Sequence, residues 1–171
     1  VAGEVILKKD FIPIYEKISQ KQYDTDFCGQ VSPVNYEDIK LPKRATKYSA
    51  GYDIYATRYI RLRPNETIKM PTGIRMMLDP DKFLLIVPRS GLGFKYRLQL
   101  DNTAGVIDAD YYNSDNEGHM WIKITNDSRD GKILEVNAGE AIAQGIILPY
   151  YTTEDDDADG VRNGGFGSTT K

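Results

Sequence analysis

The sequence predicts an all-β fold in which helix is at most one short element. Turn-forming Gly, Pro, Asn and Asp residues recur at short intervals from Pro42 to Gly139. The segments between these turns are short, and several alternate polar with apolar residues or are rich in β-branched and aromatic ones. No long segment sustains apolar residues at helical spacing. Together the three observations favour a sandwich, barrel or jelly roll.

Seven segments carry the strand pattern. The strands are predicted at 51–56, 67–70, 73–78, 83–87, 119–125, 132–136 and 141–149. The one short helix is expected within 91–100. Strand-like residues also occur at 5–7 and 11–15, whereas 19–36 is polar, has no clear period and is interpreted as an irregular insertion.

The same patterns divide the chain into two parts. We expect a single β domain over residues 1–151, with an N-terminal extension or insertion at about 16–40. From residue 152 onward the chain is polar, with an acidic run at 154–157 and several glycines near the end. Residues 152–171 are therefore expected to form a flexible, mobile C-terminal arm.

Composition excludes several classes of protein. Hydrophobic residues make up 40% and charged residues 27%, as in soluble globular proteins. The net charge is −3 with Lys and Arg scattered, so the basic stripe of a nucleic-acid binder is missing. No apolar run approaches the roughly 20 residues that span a bilayer, and the first residues do not resemble a signal peptide. With the lone Cys28, these features favour a cytoplasmic protein that binds neither nucleic acid nor membrane.

The C-terminal string RNGGFGSTT, residues 162–170, has the composition of a phosphate cradle. Its glycines leave backbone N–H groups uncovered, and Arg162, Ser168 and Thr169 add a guanidinium and two hydroxyls. Phe166 stands alone among glycines, where a nucleobase would be a suitable planar partner. On composition alone, a plain flexible tail is the competing interpretation.

This string resembles the fifth signature motif of trimeric dUTPases, Arg-Gly-x-Gly-Gly-Phe-Gly-Ser-Thr-Gly. The other four motifs are present in order, as AGYDIYA at 50–56, PRSGLG at 88–93, GVIDADYY at 105–112 and GEAIAQGIIL at 139–148. The resemblance runs from about 41 to 170, and the insertion at 114–118 is similar to that of dUTPases from Gram-positive bacteria and their phages. It implies a distorted jelly-roll β-barrel, or β-clip, and a homotrimer whose tails are exchanged between subunits.

The resemblance also implies a reaction, the hydrolysis of dUTP to dUMP and pyrophosphate with Mg²⁺. Asp108 would be the catalytic base that activates water against the α-phosphorus, and its apolar neighbours Ile107 and Ala109 suit that role. Asp53 would hold the Mg²⁺ through water. The substrate-binding residues implied are Arg89, Ser90, Gly91, Asn102, Gly105, Val106, Ile107, Tyr111, Gln144, Arg162, Phe166, Gly167, Ser168 and Thr169.

Several of these residues have distinct implied roles. Tyr111 would lie under the sugar and exclude a 2′-hydroxyl, Asn102 would pair with the edge of uracil, and Phe166 would cover the base. The tail would close over the site as a lid. If the strand that carries Asp108 continues, Asp110 points to the same face two residues further on.

The chain departs from the family pattern at a few positions. Arg162 is one residue nearer to Phe166 than is common. The replaced positions are Asn113 for Gly, Ala141 for Arg, Gly145 for a large apolar residue and Thr170 for Gly.

Two other functions fit the same sequence. One is a dCTP deaminase, which shares the fold but as a rule lacks the tail. The other is a phage dUTPase with an added regulatory protein partner, for which the N-terminal region of about 40 residues could be the contact surface. His119 and Cys28 have no companion ligands at usual spacings and are expected to be structural.

Overall fold

The computed structural model describes residues 12–162 and residue 164. Within that part of the chain there are two α-helices, α1 at Gln20–Asp26 and α2 at Ser90–Tyr96, and two 3₁₀ turns, at Tyr36–Asp38 and Ala109–Asn113. The strands are β1 Ile14–Lys17, β2 Lys43–Arg44, β3 Tyr52–Tyr55, β4 Ile60–Leu62, β5 Thr67–Pro71, β6 Ile74–Met77, β7 Lys82–Pro88, β8 Leu98–Leu100, β9 Gly105–Asp108, β10 Trp121–Asn126, β11 Leu134–Val136 and β12 Ala141–Pro149. The strand predicted at 5–7 and the site residues predicted at 166–169 lie outside the described residues.

The strands form antiparallel sheets, as the short alternating segments predicted. The largest sheet has the order β2-β3-β12-β7-β9, and a three-stranded sheet has the order β5-β10-β8. Two further pairs join β1 to β6 and β11 to β4. All seven predicted strands coincide with observed ones, so the all-β class is confirmed.

The core follows from the alternation of side chains along these strands. In β10, Ile122 and Ile124 are buried while Lys123 between them is exposed. In β7, Leu84 and Ile86 point inward in the same way. These side chains belong to one apolar cluster that joins the two larger sheets.

The prediction of at most one short helix was wrong, because α1 lies inside the stretch interpreted as irregular. Ser19 caps this helix by accepting a hydrogen bond from the Gln22 backbone N–H at 3.1 Å. Tyr23 and Phe27, one turn apart, stack with ring centroids 4.2 Å apart. The helix has only seven residues, none of them buried, so it shows no apolar period. The cap and the aromatic pair were the signals available.

The N-terminal region is built into the fold. Strand β1 pairs with β6, and Tyr15 of β1 packs against the core. A Cβ placed on Gly145 would lie 2.6 Å from the Tyr15 hydroxyl oxygen. Tyr15 therefore occupies the space that the family fills with a large side chain at position 145, and burial raises the pKa of its hydroxyl.

None of the helices within 12–162 is long and apolar enough to cross a membrane.

Candidate active site

Two predicted phosphate-binding residues and the residue predicted to hold Mg²⁺ meet at one end of the large sheet. Gln144 of β12 lies opposite Asp53 of β3 and opposite Val87 of β7. The Arg89 Nε lies 3.3 Å from the Asp53 Oδ1, and the Gln144 Nε2 donates to the Pro88 carbonyl at 3.4 Å. This end of the sheet therefore presents a guanidinium, an amide and a carboxylate within one small area.

The first motif has a glycine at position 51, where there is no room for a side chain. A Cβ at this position would lie 2.2 Å from the Gln144 Oε1. Without a side chain at 51, the Gln144 amide can lie directly against the backbone before β3. The position of the Gln144 amide in the fourth motif thus depends on the glycine of the first motif.

Helix α2 begins beside this cluster. Arg89 is its N-cap residue, and Ser90 is its first residue. A cavity of about 560 Å³ lies here. Its lining residues are Arg89, Ser90, Gly91, Leu92, Glu135, Val136, Glu140 and Ala141. The small Ala141 thus lies on the wall of this cavity, at the position where the family pattern has an Arg.

Asp108, the predicted base, is the last residue of β9 and lies at the other end of the sheet. Its Oδ2 accepts from the Arg162 Nη2 at 2.5 Å, and the Asp110 Oδ1 accepts from the Arg162 Nε at 2.8 Å. About half of each carboxylate side chain is exposed, whereas the Arg162 side chain is 15% exposed. The guanidinium therefore holds two acidic residues of the same chain at once.

The strand that carries Asp108 does not continue to Asp110, so the condition under which strand alternation would place both carboxylates on one face is not met. The strand ends at Asp108, and Asp110 belongs to the 3₁₀ turn Ala109–Asn113. The two carboxylates come together through Arg162 and not through strand alternation. A second cavity, of about 550 Å³, borders them and is lined by Leu78, Pro80, Asp108, Ala109, Asp110, Asn113 and Tyr150.

Tyr111 is buried beneath this second cluster. Its hydroxyl donates to the His119 carbonyl at 2.8 Å and accepts from the Asn116 Nδ2 at 3.0 Å. The Arg162 guanidinium carbon lies 5.9 Å from the centre of its ring. Burial raises the pKa of the Tyr111 hydroxyl, so it remains a donor near neutral pH.

Asn102 does not lie beside Asp108. It is exposed in the turn between β8 and β9, at the end of β9 opposite to Asp108. Along β9, Gly105 and Ile107 are buried while Val106 is 53% exposed. Asn102 instead borders a cavity of about 400 Å³ with Lys69, Asp101, Trp121 and Lys123.

The two clusters are well separated within one chain. Along β7, Asp108 lies opposite Phe83 and Gln144 lies opposite Val87. At about 3.3 Å per residue, the four steps between these levels correspond to roughly 13 Å. The structure therefore brings Asp53, Arg89 and Gln144 together, and separately Asp108, Tyr111 and Arg162. The cavities beside these two groups are lined by different residues.

The geometry matches the motifs, and comparison with known proteins decides the family. The family model for dUTPase matches residues 37–170. The chain belongs to the dUTPase family. The membership that the five motifs indicated is thus confirmed, and it favours a dUTPase over the dCTP deaminase alternative.

Individual dUTPases agree with this assignment. The deoxyuridine 5'-triphosphate nucleotidohydrolase of Lactococcus lactis is 40% identical over 134 residues, which cover 77% of this chain and 88% of that protein. The dUTPase of Streptococcus mutans has a TM-score of 0.63 and 28% identity, covering 82% of this chain and 98% of that one. A mutant dUTPase from phage phi11 of S. aureus, described for its structural Mg(II) ion, has a TM-score of 0.62 and 21% identity, covering 88% and 98%.

These neighbours confirm the expected dUTPase-like jelly roll. The dUTPase family match begins at residue 37, so β1 and α1 lie before it. Within 12–162, no group of three or more His, Cys, Asp or Glu residues is arranged to hold a metal ion.

Proposed function

We propose that this member of the dUTPase family hydrolyses dUTP to dUMP and pyrophosphate, in the cytoplasm. The observation that carries the proposal is the half-exposed Asp108 at the end of β9, beside a cavity of about 550 Å³. A carboxylate in this position can orient a water molecule and accept its proton as the water attacks the α-phosphorus. Asp108 is therefore the proposed catalytic base.

The groups that bind the substrate phosphates are proposed to come from the cluster of Asp53, Arg89 and Gln144. Arg89 and Gln144 offer a guanidinium and an amide, and Ser90 and Gly91 begin a helix whose first backbone N–H groups lack helical partners. These groups would bind the phosphates and stabilise the charge that develops on them. Because this cluster and Asp108 border separate cavities, one chain does not enclose a nucleotide between them.

We infer from this separation that the site forms between copies of the chain. Asp108 of one subunit would face the Arg89 and Gln144 cluster of its neighbour in the homotrimer that the family resemblance implies. The arm, residues 152–171, is proposed to be exchanged between subunits as a flexible lid. Because the copies are identical, an arm exchanged to a neighbour can make there the contacts that it makes within one chain. Arg162 of one subunit would then pair with Asp108 of another in the same way.

Arg162 has to change partners during this reaction. Its Nη2 occupies the Asp108 oxygen that would receive the proton from water. A bound triphosphate offers stronger anionic acceptors and would draw the guanidinium away from the carboxylate. Phe166, Gly167, Ser168 and Thr169, on the arm that follows, are proposed to cover uracil and bind the phosphates.

The nucleoside is proposed to lie along β9 and the turns at its two ends. Tyr111 would support the deoxyribose, and Gly105, Val106 and Ile107 would supply the backbone beside the base. A Cβ at Gly105 would lie 3.2 Å from the Ile86 Cβ, so the glycine lets β9 pack closely on β7. Asn102 is proposed to pair with the uracil edge, from the turn before β9.

Magnesium is the proposed cofactor, held through Asp53. Mg²⁺ usually keeps several waters and takes few carboxylates plus the phosphates of the substrate. A single Asp53 carboxylate beside Arg89 fits such water-mediated binding, with most ligands coming from the triphosphate. When bound, the metal would neutralise phosphate charge.

A regulatory protein partner is a second proposal, in addition to catalysis. Structural neighbours from phage 80alpha, at 21% identity, are described as dUTPases that control transfer of virulence genes. In this chain the turn after α1 exposes Val31 to 64%, which is an apolar contact available in the N-terminal region.

The proposed reaction is tested by measuring pyrophosphate release from dUTP, dCTP, dTTP and UTP, with and without Mg²⁺. Pyrophosphate release should be fastest with dUTP and should depend on Mg²⁺. Release of ammonia from dCTP without pyrophosphate would instead establish a deaminase.

A further inference from the structure

The N-terminal segment 14–27, which comprises β1, α1 and the residues that flank α1, contacts the loop that holds Tyr111. We call residues 14–27 the brace and residues 109–119 the sugar loop. The brace precedes the range matched by the dUTPase family model. Three separate sets of contacts join the two segments.

The first contact fixes the side chain of His119. This ring is fully buried, and its Nδ1 lies 2.5 Å from the Oδ2 of Asp26 at the end of α1. Its Nε2 accepts from the Gly73 backbone N–H at 2.8 Å. Because a backbone N–H only donates, Nε2 carries no proton, and the neutral ring must donate from Nδ1 to Asp26. Phe27 stacks on the same ring at 6.1 Å.

The fixed His119 in turn holds Tyr111. The His119 carbonyl accepts from the Tyr111 hydroxyl at 2.8 Å and from the Asn116 Nδ2 at 3.3 Å. The same Asn116 amide donates to the Tyr111 hydroxyl at 3.0 Å. A chain of hydrogen bonds and one residue's backbone thus connects Asp26 to Tyr111.

The second contact acts on the middle of the sugar loop. Glu117 has a φ of +59°, a left-handed conformation that is unfavourable for a residue with a side chain. Its two carboxylate oxygens accept from the backbone N–H of Ser19 at 2.8 Å and from the Ser19 hydroxyl at 2.6 Å. Burial raises the pKa of the Glu117 carboxyl, but the hydrogen bonds from Ser19 and the charge of Arg75 together outweigh it, so the pKa is lowered and the carboxylate stays charged at neutral pH.

The third contact holds the residue next to Tyr111. The Tyr112 hydroxyl donates to the Oε2 of Glu16 at 2.6 Å, and Glu16 also pairs with Arg75 at 3.0 Å. The Arg75 guanidinium lies 4.2 Å from the centre of the Tyr112 ring. The brace therefore fixes the sugar loop beside Tyr111, at Glu117 and at His119.

We propose that Asp26 and Ser19 are positioning residues that hold Tyr111 against the sugar, so that the brace sets the discrimination between dUTP and UTP. The proposal rests on the proposed role of Tyr111 in the dUTPase reaction. A ring excludes a 2′-hydroxyl only while it has no room to shift, because added freedom opens the space that the hydroxyl needs. Loosening the brace should therefore cost selectivity before it costs turnover of dUTP.

The test compares kcat/KM for dUTP and for UTP in the full-length protein. Asp26→Ala removes the acceptor of the His119 N–H, and we expect the ratio of dUTP to UTP to fall about tenfold. Asp26→Asn keeps an oxygen in place for that N–H and should restore most of the ratio. Glu117→Gly removes the tie to Ser19 while tolerating the left-handed backbone, and it should also lower the ratio.

Tyr23→Phe is the matched control within the brace. It removes a hydrogen bond from the Tyr23 hydroxyl to the Val34 carbonyl, 2.6 Å long, that does not lead to the sugar loop. It should leave the ratio unchanged. Equal losses for both nucleotides in Asp26→Ala and Glu117→Gly would overturn the proposal, because a merely structural role does not distinguish the two sugars.

Tyr111→Leu separates this proposal from the proposed function itself. If Tyr111→Leu leaves the ratio unchanged, the role of Tyr111 fails and the brace has no selectivity to set. If Tyr111→Leu lowers the ratio while Asp26→Ala and Glu117→Gly do not, the brace proposal alone is wrong. If Asp26→Ala does not fold, Glu117→Gly decides between these outcomes.

Discussion

Arg162 donates from its Nη2 to the Asp108 Oδ2 at 2.5 Å while its Nε donates to Asp110 at 2.8 Å. The residue proposed to bind phosphate thus rests on the residue proposed to activate water. Opposite charges at this distance attract strongly when partly shielded from water, so Arg162 is held on Asp108 until a stronger anion competes. Binding of the triphosphate and release of the Asp108 carboxylate from Arg162 then occur together.

The separation of Asp108 from Gln144 predicts complementation between subunits. Asp108→Asn and Gln144→Ala should each be nearly inactive alone, because each damages every site. After unfolding and refolding together, a random mixture should regain about one quarter of wild-type turnover, since each site needs one intact residue from each of two subunits. Turnover of the refolded mixture, against each variant refolded alone, measures this. A mixture as inactive as its parts would mean that one subunit supplies both residues.

Gly51→Ala should disable substrate binding without unfolding the protein. The new Cβ would lie 2.2 Å from the Gln144 Oε1, which is the far end of a flexible side chain and can move away. The fold should therefore survive while the amide leaves the phosphate cluster. We expect turnover of dUTP to fall and its KM to rise, with little change in melting temperature. A normal KM would show that the close packing of Gly51 and Gln144 has no part in binding.

The tight space at Gly145 predicts a coupled pair with Tyr15. Gly145→Leu should destabilise the fold by about 1–3 kcal/mol, because overpacking forces neighbours aside. Tyr15→Ala alone should destabilise it by leaving a cavity. The double variant should be more stable than the sum of the two losses predicts, as denaturant unfolding can measure. Additive losses would show that Tyr15 does not take the place of the missing side chain.

His119 predicts how stability changes with pH. Burial lowers the pKa of His119 below its ordinary value near 6.5, although Asp26 opposes this shift. Below pH ~6.5 the unfolded chain then binds more protons than the folded one, so the free energy of unfolding falls on acidification, by at most about 1.4 kcal/mol per pH unit. This pH range ends below the lowered pKa of His119, where the folded chain binds the proton as well. Carboxylates with lowered pKa values, such as Asp101, change the free energy of unfolding only at pH values near or below their ordinary pKa of about 4.

His119→Gln tests this assignment. Glutamine can accept from the Gly73 N–H but does not titrate, so the slope of stability between pH 5 and 6.5 should become shallower in the variant. Chemical denaturation at several pH values gives the slope. An unchanged slope would place the titrating group elsewhere.

The fold class was predictable because half-buried antiparallel strands alternate their side chains, as Ile122, Lys123 and Ile124 do in β10. Strands of three or four residues, such as β4 and β9, are too short to show a period. Helix α1 was missed because its seven residues include no buried one. Its N-cap Ser19 and the aromatic pair Tyr23 and Phe27 are local signals of a helix, but the surrounding residues are polar and show no helical period.

The candidate site was predictable only in part. The motifs indicated the residues of both clusters, because the functional groups of each motif lie close together in sequence. The offset of roughly 13 Å along β7 between the levels of Asp108 and Gln144 depends on the register of β7 with two partner strands, which no local pattern contains. The brace was not foreseen either, because Asp26 and His119 are 93 residues apart and meet only in the folded chain.

Asp108→Asn tests whether Asp108 activates the attacking water. The amide preserves the shape of the side chain but is a poor proton acceptor, so turnover should fall about 100-fold or more. Binding of a non-hydrolysable dUTP analogue, measured by calorimetry on the same sample, should remain nearly unchanged. Turnover close to that of the unmodified protein, with binding intact, would contradict the account.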